Sequence, residues 1–157
     1  MSRQKVKAVP AGYRSVTPYL IVDSAAKALD FYKRVFGAKE RMRMPGPAGK
    51  IGHAELQIGD SVVMLADEHP EMGARGPRAF GGSPVTVLLY VPDVDATVKT
   101  AVEAGAKLLH PVEDKFYGDR SASLEDPFGH RWHVSTHKED VPPDEMARRA
   151  AALAKTG

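Results

Sequence analysis

Apolar residues recur along the chain with two different periods. Short runs of β-branched and other apolar residues, such as SVTPYLIVD at positions 15–23, predict buried strands. In DSAAKALDFYKRVFGA the apolar positions instead recur every three or four residues, and Gly37 follows the last of them. This spacing predicts an amphipathic helix that ends at Gly37.

The same order of elements then occurs twice. After the first helix, KERMRMPG, KIGHAELQI and SVVMLAD predict strands, the last two joined by a Gly-Asp hairpin link. A second set follows, with a strand in PVTVLLYV, a helix in DVDATVKTAVEAGA and strands in KLLHPVED, SASLED and HRWHVSTH. TPYLIV aligns with TVLLYV, and FGAKE aligns with AGAKL. We therefore predict an α+β fold of two βαβββ modules, at residues 13–68 and 84–138 of one domain that spans residues 13–138.

Three segments lie outside the repeat. Residues 1–12 are predicted to be a flexible N-terminal arm. Residues 67–83 are rich in glycine and proline, which fits either a mobile lid or a disordered linker. Residues 139–157 form a C-terminal extension with a third helix in PPDEMARRAAALAK, whose acids lie in the first turn and whose bases come later.

Composition narrows the classes of partner. The apolar fraction is 43% and the charged fraction 27%, as in an ordinary globular protein. The net charge is only +2 and the bases are scattered, so neither a nucleic acid nor a membrane is expected as a partner. The chain has no cysteine, which excludes disulfides and thiolate metal sites. With neither a membrane span nor a signal-peptide core, the expected location is the cytoplasm.

Three stretches are similar to a known superfamily. VTPYLIVDSAAKALDFYKRVFGA, GHAELQIGDSVVMLADE and EDPFGHRW resemble the vicinal oxygen chelate superfamily of glyoxalases, bleomycin-resistance proteins and dioxygenases, and in particular its PhnB-like subgroup. The resemblance implies that the two modules build a curled eight-stranded mixed sheet around a cavity. It also implies a homodimer and a small-molecule ligand.

The resemblance further implies where metal ligands would lie. The four family positions fall on Thr17, Met64, Thr86 and His133. Glyoxalase-type members carry histidine or a carboxylate at all four, and dioxygenases do so at three. One imidazole beside a thioether and two hydroxyls is a poor donor set for Zn²⁺, Ni²⁺ or Fe²⁺. We therefore expect no cofactor at the usual metal site, although a divalent metal at a non-standard place stays open.

Strand alternation singles out one polar face. His53, Glu55 and Gln57 share one side of GHAELQI, opposite the apolar residues that should meet the helices. His53 and Glu55 are therefore candidate catalytic residues, as a general base and its orienting carboxylate. With His133 they form a predicted inward cluster. Catalysis or metal binding, ligand contact without catalysis, and a purely structural polar face all remain open for it.

Other side chains are predicted to contact a ligand. Tyr117 and Arg120 come from KFYGDRS, where they suit an anionic or aromatic ligand, although a local surface turn explains them equally well. Trp132 is expected to pack on the helix side of its strand. The predicted ligand-binding residues are Thr17, Tyr19, Met64, Thr86, Tyr117, Arg120 and His133.

Three functions remain open at this point. The first is a protein that binds a small organic molecule in the sheet cavity without the usual metal site. The second is a metal-dependent lyase, isomerase or dioxygenase with an altered site that uses His53, Glu55 and His133. The third is a structural dimer with a vestigial cavity.

Overall fold

Each half of the chain folds into a compact unit of its own. The structure, a computed structural model, describes residues 5–156, and the division falls between Phe80 and Gly81. The first half is called unit 1 and the second half unit 2. The elements of unit 1 are β1 (Tyr19–Val22), α1 (Ala25–Phe36), β2 (Lys39–Pro45), β3 (Ile51–Ile58) and β4 (Ser61–Asp67). Those of unit 2 are β5 (Thr86–Tyr90), α2 (Val94–Glu103), β6 (Lys107–Asp114), β7 (Asp119–Glu125), β8 (Arg131–His137) and α3 (Pro143–Ala154).

Both units contain a four-stranded mixed sheet with the same topology. The strand order is β1-β4-β3-β2 in unit 1 and β5-β8-β7-β6 in unit 2. In each sheet the first pair is parallel and the others are antiparallel. The predicted α+β fold of two βαβββ modules is thus confirmed, with the eight strands divided into two open sheets.

Helix α1 covers one face of the unit 1 sheet. The Ser24 side chain accepts a hydrogen bond from the backbone N–H of Lys27 at the start of the helix, and Gly37 ends the helix in a left-handed conformation at φ 65°. The buried side of the helix carries Ala28, Leu29, Tyr32 and Val35. The alternate residues of the strands that face it are apolar and buried, as Leu56 and Leu65 show. Within residues 5–80 α1 is the only α-helix, so no α-helix of unit 1 covers the opposite face of the sheet.

One carboxylate ties three parts of unit 1 together. Asp67, at the end of β4, accepts hydrogen bonds of 2.7 Å from the backbone N–H groups of Ala25 and Ile51. The first is a donor at the start of α1 that no helical carbonyl can satisfy, and the second begins β3. Asp67 therefore fixes where the helix and the third strand start relative to the fourth.

The DPFG turn of unit 2 is built around a second carboxylate. One oxygen of Asp126 accepts from the backbone N–H groups of Phe128 and His130, at 2.9 and 3.0 Å, and the other accepts from the Trp132 indole at 2.9 Å. Asp126 is 2% exposed and Trp132 is 1% exposed. The motif EDPFGHRW is thus a turn whose aspartate fixes the tryptophan in the core, as the expected core role of Trp132 requires.

The segments outside the repeat have local structure as well. The long loop after β4 contains two short 3-10 turns, Pro70–Met72 and Pro77–Phe80, and Arg78 forms an ion pair with Asp23 at 2.7 Å. The predicted third helix is present as α3, and its Arg149 donates to the carbonyl of Phe116 at 3.1 Å. Of the N-terminal arm, residues 1–4 lie outside the described residues, and residues 5–12 are exposed and lie in neither helix nor strand. Within the described part of the chain, no helix is both long and apolar enough to cross a membrane.

Replacing Asp126 by alanine should lower the free energy of unfolding by about 3 kcal/mol, because buried donors lose a charged acceptor. Urea denaturation monitored by Trp132 fluorescence measures this. Asp60→Ala, at the exposed turn between β3 and β4, is the matched control and should change stability by less than about 0.5 kcal/mol. Equal effects of the two substitutions would contradict the role given to Asp126.

Candidate functional site

The open face of the unit 1 sheet carries a row of paired residues. Because strand neighbours in register lie side by side, one row crosses all four strands. Its members, in strand order, are Tyr19, Met64, Glu55 and Met42. His53 lies two residues before Glu55 on β3 and so shares this face. The face therefore holds the two predicted catalytic residues beside the predicted ligand contacts Tyr19 and Met64.

Four polar side chains on this face form a hydrogen-bonded chain. His53 Nε2 lies 2.9 Å from Glu55 Oε2, and His53 Nδ1 lies 2.8 Å from the Tyr19 hydroxyl. The Tyr13 hydroxyl donates to the other oxygen of Glu55. The guanidinium of Arg41 lies 4.9 Å from the centre of the Tyr13 ring, a cation–π distance. Both nitrogens of His53 and both oxygens of Glu55 are thus already engaged.

The charges of this chain follow from its surroundings. Burial alone would raise the pKa of Glu55, but hydrogen bonds from Tyr13 and His53 outweigh it and hold that pKa below its usual value. Burial, and then the nearby negative charge of Glu55, raise the pKa of Tyr19. At neutral pH Glu55 is therefore a carboxylate and Tyr19 a neutral phenol.

The position of each proton can be deduced. A carboxylate only accepts, so the proton between His53 and Glu55 lies on Nε2. In the neutral ring Nδ1 then has a lone pair and accepts, which makes the Tyr19 O–H the donor to it. For the neutral His53 ring, the order of donation is thus Tyr19 to His53 to Glu55.

A cavity of about 780 Å³ lies beside this chain in unit 1. Tyr19, Ile21 and Ala66 line it from the sheet, and residues 68–72 and Ala74 line it from the loop that follows β4. Most of the lining is apolar. Nδ1 of His69, another lining residue, is buried and has no hydrogen-bond partner among the residues that the structure describes. The lining also includes the charged residues Lys50, Asp67, Glu68 and Glu71, so the cavity joins apolar walls to polar and charged groups.

The corresponding row in unit 2 is different. In strand order it consists of Leu88, His133, Ser123 and His110. His133 Nδ1 lies 2.9 Å from the Ser123 hydroxyl, and its pKa is lowered first by burial and then by the positive charge of Lys115. A cavity of about 590 Å³ is lined by His133, Tyr117, Lys115 and Leu153 of α3, among others. No tyrosine–histidine–glutamate chain crosses this described row.

The remaining predicted ligand-binding residues, Arg120, Thr17 and Thr86, are not among the residues that line the two cavities. Arg120 donates to both oxygens of Asp95 on α2, at 2.8 and 3.0 Å, and to Asp114 at 3.2 Å. It shares its face of β7 with Ala122, so it lies on the helix side of the sheet rather than beside His133. Thr17 lies just before β1, and Thr86 is the exposed first residue of β5.

The four family metal positions do not offer a suitable donor set. Thr17 and Met64 of unit 1 supply a hydroxyl and a thioether, and in unit 2 Thr86 supplies another hydroxyl beside the imidazole of His133. Across residues 5–156, no three histidine, aspartate or glutamate side chains are grouped so that they could hold an ion. The residues present thus do not fit the Zn²⁺, Ni²⁺ or Fe²⁺ that such sites bind.

Sequence reasoning missed two residues of unit 1. Tyr13 lies outside every strand, so no alternation pattern assigns it to a face, and its contact with Glu55 depends on how the preceding segment folds back. His69 belongs to the glycine- and proline-rich loop, whose path the sequence leaves open. The sequence indicates a role for these two residues only indirectly, through the polar face of the strand that carries His53 and Glu55.

Comparisons with known proteins agree with this fold. Residues 14–134 match the model of the Glyoxalase/Bleomycin resistance protein/Dioxygenase superfamily. An uncharacterised protein of Mycobacterium tuberculosis is 43% identical over 146 residues, which are 91% of this chain and 84% of that protein. The anthracycline biosynthesis protein DnrV of Streptomyces peucetius is 33% identical over 124 residues, 78% of this chain but only 41% of DnrV.

A solved structure gives the same result. TioX from Micromonospora sp. ML1 superposes with a TM-score of 0.61 at 29% identity, covering 77% of this chain and 96% of TioX. With repeated βαβββ modules, the aspartate-centred DPFG turn and a family match over most of its length, the chain belongs to the glyoxalase/bleomycin resistance protein/dioxygenase superfamily.

Proposed function

We propose that the protein binds a small organic molecule in the cavity of unit 1 and does so without the family's usual metal site. The observation that carries this proposal is the cavity itself. Its volume of about 780 Å³ is within the range of small-molecule sites, and its largely apolar walls also carry polar and charged side chains such as Tyr19, Lys50 and Glu68. Such a site gains affinity from apolar burial and orientation from its polar atoms.

The two kinds of lining have separate roles. Ile21 and Ala66 on the sheet, with Met72 on the loop, offer carbon surface to a ligand. The Tyr19 side chain, on the sheet side of the lining, offers a hydrogen-bonding oxygen to a ligand. The loop residues that cover the sheet come from the Gly/Pro-rich segment, which supports the lid interpretation of that segment.

A relative supports the class of ligand. DnrV is named for anthracycline biosynthesis, so a protein with the same sequence pattern takes part in the chemistry of small organic molecules. Because this chain covers less than half of DnrV, we carry over the general class and not the specific compound.

The metal-dependent alternative is less consistent with the contacts of His53 and Glu55. To ligate an ion, His53 would have to give up its bond to Tyr19 or to Glu55, because each of its two ring nitrogens is already engaged. Loss of the bond to Glu55 would leave an oxygen of that buried carboxylate without its donor, which costs about 1–3 kcal/mol.

A fluorescent probe with an apolar ring system and one sulfonate group tests the cavity. 1-Anilinonaphthalene-8-sulfonate should bind with saturation near one probe per chain. Ala74→Trp, which fills the loop side of the cavity, should weaken binding about tenfold. Ala79→Trp, on an exposed position of the same loop that does not line the cavity, is the matched control and should bind like the parent protein. Equal binding by both variants would place the probe elsewhere and refute the proposed site.

Metal analysis tests the second part of the proposal. After dialysis against Zn²⁺, Ni²⁺, Mn²⁺ or Fe²⁺ and removal of excess ion, the protein should retain well under one equivalent per chain, because the donors present suit none of these ions. His133→Ala should retain the same amount. A stoichiometric ion that His133→Ala loses would overturn the metal-independent assignment.

A further inference from the structure

The Tyr19 oxygen is an acceptor that has no donor within its own chain of hydrogen bonds. In the neutral His53 ring, Nε2–H donates to Glu55, so Nδ1 accepts a hydrogen bond from the Tyr19 hydroxyl. The lone pairs of the Tyr19 phenol oxygen remain available to accept a hydrogen bond. Tyr19 is 48% exposed and lines the 780 Å³ cavity. A ligand in that cavity thus meets a hydrogen-bond acceptor at Tyr19.

His53 and Glu55, the next two members of the hydrogen-bonded chain, also allow Tyr19 to pass its proton on. If the Tyr19 proton moves to His53 Nδ1, the ring becomes an imidazolium beside the buried carboxylate of Glu55, 2.9 Å from Nε2. A hydroxyl, an imidazole and a carboxylate in this order are the arrangement that lets a histidine act as a general base while a carboxylate stabilises its charged form. Here the Tyr19 phenol stands where such an arrangement in an enzyme has the hydroxyl of a nucleophilic serine.

The ligand group that gives its proton to Tyr19 can be neither too strong nor too weak an acid. A carboxylic acid has already lost its proton at neutral pH and would bring a negative charge towards Glu55. An aliphatic alcohol is too weakly acidic to give its proton to an imidazole. Phenols and enols lie between these limits and carry an O–H that fits an acceptor on a largely apolar wall.

We propose that Tyr19, His53 and Glu55 form a proton relay that takes up the acidic hydroxyl proton of a phenolic or enolic ligand bound in the unit 1 cavity. This inference rests on the proposed function, since it names the ligand class of the same site. In the transfer the ligand O–H bond breaks and a new O–H bond forms on Tyr19. The former Tyr19 proton bonds to His53 Nδ1, and no electrons are exchanged with an oxidant or reductant.

Each member of the relay has a distinct role. Tyr19 contacts the ligand. His53 and Glu55 are positioning residues that act through Tyr19, by accepting its proton and by stabilising the resulting charge. Tyr13 holds the second oxygen of Glu55 and so keeps the carboxylate turned towards His53. Arg41 lies over the Tyr13 ring, and its positive charge favours the ionised form of Glu55.

Two coumarins make a matched pair of probes. 7-Hydroxycoumarin has an acidic hydroxyl whose ionisation changes its absorption spectrum, and 7-methoxycoumarin has the same ring without that proton. The full-length protein should bind the hydroxy compound about tenfold more tightly, the gain expected for one charge-assisted hydrogen bond. The bound hydroxycoumarin should ionise about one pH unit below the free compound, which corresponds to a tenfold preference for its anion.

Variants separate the relay from the cavity. Tyr19→Phe should bind both coumarins with similar affinity and show no shift in ionisation. His53→Gln retains a polar side chain but cannot take up a proton, so the spectral shift should be lost there as well. Tyr90→Phe is the matched control, because it removes a tyrosine hydroxyl in unit 2, where that hydroxyl bonds to Asp119 at 3.3 Å. It should behave like the parent protein.

The possible results distinguish the two proposals. Equal affinity for the two coumarins in the parent protein, or an ionisation shift that persists in Tyr19→Phe, would overturn the relay and leave the cavity intact. Binding of the anilinonaphthalene probe without binding of either coumarin would overturn the phenolic ligand class. Failure of all three compounds to bind would overturn the proposed function itself.

Discussion

In each unit one helix covers one face of a four-stranded sheet, and the alternation of strand residues then decides which side chains that helix can reach. The constraint is strict because neighbouring residues on a strand point to opposite faces. On β3 it sends Ala54 and Leu56 towards α1, where both are fully buried. The same alternation leaves His53 and Glu55 on the open face. The chemistry of unit 1 is therefore a direct consequence of how its core is packed.

The open face of unit 1 buries a carboxylate that forms no ion pair with a lysine or arginine of residues 5–156. Burial of a charge is costly unless its oxygens are satisfied. Glu55 is 4% exposed, and its two oxygens are satisfied by Tyr13 and His53. This requirement orients His53, and the orientation of His53 in turn fixes the donor role of Tyr19. A single buried charge thus organises the polar part of the site.

The sequence predicted the architecture because it depends on local periodicity. Two strand–helix–strand patterns with matching letters are sufficient to infer two βαβββ modules, and parity correctly separated the apolar from the polar residues of β3. The DPFG turn was recognisable as a motif, but its aspartate-centred hydrogen bonds to Trp132 depend on atomic positions that the sequence does not contain. The PhnB-like subgroup, the homodimer and the cytoplasmic location stay predictions.

The placements of two residues were beyond sequence reasoning for identifiable reasons. Tyr13 lies outside the periodic segments, so only the three-dimensional path of the chain shows its bond to Glu55. Arg120 was grouped with a loop, although β7 begins at Asp119 and strand parity then turns the arginine towards Asp95 on α2. In both cases the deciding factor is a contact between residues that are distant in sequence.

The account depends most directly on which nitrogen of His53 carries the proton. Nitrogen-15 NMR of the full-length protein near neutral pH, with His53 assigned by comparison with His53→Gln, reports this without any ligand. The account predicts that Nε2 is protonated and that Nδ1 is an unprotonated acceptor for Tyr19. A spectrum with a proton on Nδ1 would contradict it, because Tyr19 would then be the acceptor of that bond and could not donate its proton to His53.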